Sequence, residues 1–145
     1  TQITGACFAL LLPKHLHILT NASDNKKSIV LVDDDQRILQ GLQKILDQKY
    51  HTLSFSSIES AMKTILSLKT SDYHLIVDIG SVGKTLQELD HFYYQLPQWL
   101  QKCLILTTGD SPHSDLVHAL MEKNISIIFK PYDVKKLFQI INEQK

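Results

Sequence analysis

The stretch that decides the fold is "SIVLVDDDQRIL", residues Ser28 to Leu39. Four apolar residues, Ile29, Val30, Leu31 and Val32, run into three consecutive carboxylates, Asp33, Asp34 and Asp35. An unbroken run rich in β-branched residues suits a strand buried on both faces. Three acids at its tip repel one another and burial penalises each charge further, so as ions they destabilise the fold until a cation joins them.

Outward from this strand, short apolar runs alternate with helix-period segments. Strands are predicted at Ile29–Val32, His51–Phe55, Leu75–Val77, Leu104–Thr107 and Ile125–Phe129. Between the first two, Ile38, Leu39, Leu42, Ile45 and Leu46 fall on one face of a helix. Ala61, Met62, Ile65 and Leu66 repeat that spacing, as do Val134, Leu137, Phe138 and Ile141. Ser56 with Glu59 has the form of a capping box, and Ser111 before Pro112 that of an N-cap followed by proline. The segment Lys84 to Leu100 carries the helix with the weakest pattern. Five strands alternating with five helices predict an α/β fold, a doubly wound parallel sheet with helices on both faces.

The chain of 145 residues suffices for one domain with a real core, and its 43% hydrophobic and 21% charged residues are ordinary for a globular protein. Fifteen basic and fifteen acidic side chains cancel, so no global charge attracts nucleic acid or an anionic membrane. The longest apolar run, Ala6 to Leu12, is far short of the roughly 20 residues of a membrane helix. No basic residue precedes it and no small-residue cleavage site follows, which argues against a signal peptide. The chain opens on Thr1, so a piece of a longer protein is expected. Cys7 and Cys103 lie in apolar runs without a C-x-x-C pair, the pattern of buried reduced thiols in a cytoplasmic compartment. His15 and His17 read as solvated, without metal-ligand spacing.

Residues 1–27 stand outside the alternation. "TGACFALLLP" reads as a single strand ended by Pro13, and residues 14–27 as a polar linker. A lone strand cannot bury its own face, so its partners are missing or come from a second copy, which makes a homodimer possible.

In a doubly wound sheet functional groups collect at the carboxyl ends of the strands. Those ends carry Asp33 and Asp34, then Asp78 in "HLIVDIG", Thr107 in "LILTTGD" and Lys130 in "IIFKPY". Mg²⁺ takes oxygen ligands in an octahedron and keeps some waters, so carboxylates plus a backbone carbonyl suit it. A carboxylate beside such an ion can accept a phosphoryl group, with Lys130 and the Thr107 hydroxyl matching the charge on the transferring oxygens.

With these residues in these places, Ser28 to Lys145 resembles a response-regulator receiver domain. The successive separations from Asp34 through Asp78, Thr107 and Lys130 are 44, 29 and 23 residues. The resemblance implies a flavodoxin-like sheet of order 2-1-3-4-5. It assigns Asp33 and Asp34 as the acidic metal pair, Asp78 as the phosphoacceptor and metal ligand, and Gly80 as the donor of a carbonyl to Mg²⁺. Thr107 becomes the switch hydroxyl, Lys130 the phosphate-pairing ammonium, and Lys130–Pro131 a cis peptide. Asp35 reads as a helix start.

Three features depart from the family. "IGSVGKT" after Asp78 lacks the usual proline and is expected to visit several conformations. Ile127 stands where an aromatic residue swings inward on phosphorylation, and Thr108 is larger than the smallest residues found there.

The N-terminal "TGACFALLLP" is similar to the last strand of histidine-kinase ATP-binding domains. The two resemblances together imply a hybrid histidine kinase, with residues 1–13 as kinase remnant, 14–27 as linker and 28–145 as receiver. The implied partners are a kinase dimerisation domain bearing phosphohistidine and a histidine phosphotransfer protein; neither nucleic acid nor membrane is an expected contact. Two rival readings are a degenerate receiver that only binds proteins and a haloacid-dehalogenase-type phosphatase built on Asp33 and Asp35. Against the second stand Arg37, where that family needs a smaller residue, and Asp133 in place of an acidic pair.

Overall fold

A computed structural model describes residues 26–68 and 72–144. The elements are β1 (Ser28–Val32), α1 (Gln36–Leu46), β2 (His51–Phe55), α2 (Ile58–Ser67), β3 (Tyr73–Asp78), α3 (Ile79–Val82), α4 (Leu86–Gln95), α5 (Gln98–Gln101), β4 (Leu104–Thr108), α6 (Asp115–Glu122), β5 (Ser126–Phe129) and α7 (Val134–Glu143). The sheet is wholly parallel, in the order β2-β1-β3-β4-β5. This is the flavodoxin-like doubly wound arrangement expected of a receiver domain. Residues 1–25, with the expected kinase strand, Cys7 and most of the linker, lie outside the described residues. Lys27 carries the chain into the sheet, its carbonyl accepting from His51 N at 3.0 Å.

The central strands are apolar throughout because both faces are covered. Val30, Val32, Leu75, Val77, Leu104 and Leu106 pack on one side with α2, α4 and α6. Ile29, Leu31, Ile76, Ile105 and Ile128 pack on the other with Leu39, Leu42 and Leu46 of α1 and Leu137 and Ile141 of α7. Period-2 alternation along each strand divides the two cores.

Helix starts differ from expectation at two places. The cap of α2 is Ser57, whose side chain accepts from Ser60 N at 3.3 Å, so Glu59 lies one position too early to close a capping box with it. The cap of α6 is Ser114; Ser111 instead closes a turn through His113 N. The helix sought between Lys84 and Leu100 begins with a capping box of Thr85 and Glu88. A second, short helix, α5, follows it, and the residues after Asp78 form the helical turn α3 rather than an irregular loop. Gly83 permits this junction. A Cβ there would lie 2.6 Å from Glu88 Cβ, too close for any other residue without movement of the cap.

Candidate functional site

Parallel register brings the functional residues to one edge. Val32 pairs with Val77, Asp78 with Thr107, and Thr107 with Ile128. Alternation therefore sends Asp33, Asp78 and Thr107 to the same side of the sheet as Leu31, Ile76 and Ile105. Lys130 follows β5 directly; its N–H donates to Thr108 O at 2.7 Å, and the Lys130–Pro131 peptide is cis, as expected.

The carboxylates of Asp33, Asp34 and Asp78 offer oxygens that all lie within 4.8 Å of one another. Asp33 is 1% exposed and Asp78 7%, while Asp34 faces solvent. The Lys130 ammonium stands between the two buried acids, 2.8 Å from Asp33 Oδ2 and 2.9 Å from Asp78 Oδ1. Asp33 Oδ1 accepts from Asp35 N at 2.9 Å. Burial raises the Asp78 pKa; Lys130 pulls it down, and the charges of Asp33 and Asp34 add to the rise. Burial also works against the Lys130 charge, but hydrogen bonds to Asp33 and Asp78 outweigh it and its pKa rises.

Three carboxylates against one ammonium leave two negative charges in excess, in a cluster with two buried acids and one, Asp34, at the solvent edge. That is the charge of a divalent ion, and the all-oxygen donor set is the one Mg²⁺ selects over softer metals. The residues present therefore fit the ion.

The other expected participants are placed less simply. Thr107 is 1% exposed and its Oγ1 accepts from the Tyr132 hydroxyl at 3.3 Å. Gly80 lies in α3, where a Cβ would sit 3.0 Å from Asp78 Oδ2. The Lys84 N–H, which would close on the Gly80 carbonyl were the helix longer, donates instead to Glu88 at 2.8 Å. Asp35 turns away to cap α1, accepting from Arg37 N at 2.9 Å, so the Asp33/Asp35 pairing of the phosphatase reading is not formed. Ile127 is buried in the core shared by β4 and α6. Thr108 is buried, with its Oγ1 accepting from Asp110 N at 3.0 Å.

Sequence reasoning passed over Tyr132, whose hydroxyl lies 3.4 Å from Asp33 Oδ2 as well as near Thr107. The signal available was an aromatic residue with a polar tip two positions past the strand-end lysine.

No family model and no curated protein matches the chain. Solved structures do. A response regulator receiver protein from Dyadobacter fermentans superposes at a TM-score of 0.64 with 19% identity, over 81% of this chain and 96% of that one. The chain has the receiver-domain fold. The signal receiver domain of an HD domain-containing protein from Pseudomonas fluorescens Pf-5 matches at a TM-score of 0.62 with 24% identity, over 83% and 94% of the two chains. Full-length FixJ from B. japonicum matches at 0.66 with 19% identity over 83% of this chain, which spans only 58% of that longer protein. In this chain the acidic cluster lies at the carboxyl edge of the sheet, with the α3 turn directly after Asp78. Among the described residues no helix is long and apolar enough to cross a membrane.

Proposed function

We propose that this receiver domain is a phosphoacceptor, with Asp78 as the residue that takes the phosphoryl group. One observation carries the reading: a buried carboxylate at a strand end shares a lysine with a second acid and lies within 4.8 Å of both Asp33 and Asp34. An Asp78 oxygen attacks the phosphorus of a phosphohistidine; the P–N bond breaks, its electron pair returns to the imidazole, and an acyl phosphate forms. Asp33, Asp34, Asp78 and the carbonyl of Gly80 are the residues that would hold Mg²⁺. When bound, the ion neutralises the charge that repels an incoming phosphoryl group. Lys130, already 2.9 Å from Asp78 Oδ1, turns its ammonium to the new phosphate oxygens, and the Thr107 hydroxyl is the nearby strand-end donor. The arriving charge biases the segment from β4 into α6 between two arrangements.

The phosphodonor and the onward acceptor are a kinase dimerisation domain and a histidine phosphotransfer protein, in a cytoplasmic phosphorelay. The parent is a hybrid histidine kinase, with residues 1–13 as the end of its ATP-binding domain and 14–27 as the linker. Incubation with Mg²⁺ and acetyl phosphate, read by intact mass, adds one phosphate to the wild type and none to Asp78→Ala. A protein-only binding module is the second reading, favoured by Ile127 at the position of the usual aromatic switch. Absence of any adduct, where a control receiver is labelled, leaves that reading in place of the first.

A further inference from the structure

We infer that Tyr132 is a positioning residue of the acidic site, its phenolic hydroxyl bridging Asp33 and Thr107. The inference rests on the phosphoacceptor reading and adds to it a side chain that reading does not use. Tyr132 packs its ring against the core of Ile29, Leu31, Ile76, Ile105 and Ile128, which leaves the hydroxyl at the rim. There it lies 3.4 Å from Asp33 Oδ2 and 3.3 Å from Thr107 Oγ1.

A phenol carries one proton, so it serves these two acceptors in turn, and both contacts are longer than an undivided O–H···O bond. The charged acceptor is the stronger claimant. Asp33 Oδ2 now has a better donor in Lys130 at 2.8 Å. A phosphate on Asp78 draws the Lys130 ammonium towards its own oxygens and weakens the bond to Asp33. As it turns, Asp33, 1% exposed, keeps Asp35 N on Oδ1 and the Tyr132 hydroxyl near Oδ2 as the donors that orient its carboxylate towards a bound ion. Loss of the hydroxyl thus matters little to the resting protein and most to the ion-bound and phosphorylated forms, in which a misdirected Asp33 weakens the site. Thr107 competes for the same proton, so removing its hydroxyl strengthens the hold of Tyr132 on Asp33.

The test compares wild type, Tyr132→Phe, Thr107→Val and the double variant. Calorimetric titration with Mg²⁺ measures affinity, and intact mass follows decay of the acetyl-phosphate adduct at saturating Mg²⁺. Tyr132→Phe is expected to weaken Mg²⁺ binding about fivefold and to shorten the adduct lifetime by a similar factor, the size of one ordinary hydrogen bond, as its length of 3.4 Å dictates. Thr107→Val binds Mg²⁺ at least as tightly as wild type, and Tyr132→Phe costs more in its background than alone. A purely structural tyrosine would lower the melting temperature in EDTA and leave the Mg²⁺ titration unmoved. Mg²⁺ affinity and adduct decay within twofold of wild type in Tyr132→Phe overturn the inference, as does a Thr107→Val that loses as much affinity as Tyr132→Phe. The titration needs no phosphorylation, so an unlabelled wild type with a Mg²⁺ response sinks the phosphoacceptor reading alone. A normally labelled Asp78 with an indifferent Tyr132 sinks only this one.

Discussion

Lys130→Met removes the ammonium that two buried acids share, and the structure sets the size of the effect. Asp33 is 1% exposed and Asp78 7%, and each is within 3 Å of the Lys130 Nζ. Removing one partner of a buried ion pair costs about 3–5 kcal/mol, because the remaining charge is left without compensation. Lys130 itself keeps a fifth of its side chain in water and Asp34 opens the cluster to solvent, so the lower end, about 3 kcal/mol, applies. A domain of this length has an unfolding entropy near 0.25 kcal/mol/K, which converts the loss to about 12 °C in melting temperature. Mg²⁺ answers the same repulsion from the opposite direction. At tenfold excess over its Kd it stabilises the wild type by about 1.4 kcal/mol, or about 6 °C. In Lys130→Met the ion no longer competes with an ammonium, so its stabilisation is larger there. Thermal unfolding followed by circular dichroism, in EDTA and in MgCl₂, reads both effects. Asp78→Asn in the Lys130→Met background should restore most of the loss in EDTA, by removing one of the two opposed charges. A Lys130→Met protein that melts within about 2 °C of wild type in EDTA would make this a surface pair of negligible worth. A Mg²⁺ shift no larger than the wild type's would show that ion and lysine do not share the site. Either result refutes the electrostatic argument.

Three further outcomes follow from the same geometry. The folded-state pKa of Asp78 is raised above the ordinary carboxylate range, chiefly by burial, so its charged form opposes folding above that pKa and the penalty fades as pH falls through it towards the ordinary range. Asp78→Asn should therefore be the more stable protein in EDTA at neutral pH, with the gap to wild type closing on acidification; urea melts across pH measure it, and a gap that widens at low pH contradicts the sign. Gly80→Ala places a Cβ 3.0 Å from Asp78 Oδ2 and must displace the carboxylate by a few tenths of an ångström, so acetyl-phosphate labelling should slow by about 3–10-fold while the fold persists. Asp35→Ala loses the α1 cap and about 1 kcal/mol of stability in urea melts, yet leaves calorimetric Mg²⁺ affinity within twofold, because that carboxylate faces Arg37 N and not the acidic cluster.

The strands were legible because burial on both faces writes them as continuous apolar runs. His51–Phe55 matches residue for residue, and β3 gains Tyr73, His74 and Asp78 because neighbouring strands there carry the ladder past the apolar run. Caps were less legible, since several hydroxyls compete for one helix start. Ser57 rather than Ser56 faces Ser60 N, and Ser114 rather than Ser111 begins α6. The short helices α3 and α5 have too few residues to show a period. Asp33, Asp34, Asp78 and Lys130 could be brought together from strand ends alone, because parallel register aligns those ends. The partner of Thr107 could not, since Tyr132 lies beyond the last strand and its hydroxyl reaches back across the rim.

The division of labour among the three acids follows from their hydrogen bonds rather than from their order in the chain. Asp33 spends Oδ1 on Asp35 N and Oδ2 on Lys130 and Tyr132, so one lone pair at most is left for an ion in the resting site. Asp78 commits Oδ1 to Lys130, while Oδ2 faces the Gly80 position, where only hydrogen leaves it room. Asp34 is the exposed member and stands at the entrance. Asp34 and Asp78 would therefore hold Mg²⁺ with the fewest bonds displaced, and Asp33 would take its full share only as Lys130 withdraws. Withdrawal of Lys130 is what a phosphate on Asp78 would bring about. On the phosphoacceptor reading, ion and phosphoryl group would be coupled through one lysine: each would strengthen the other by taking over a charge that Lys130 must otherwise balance for both buried acids.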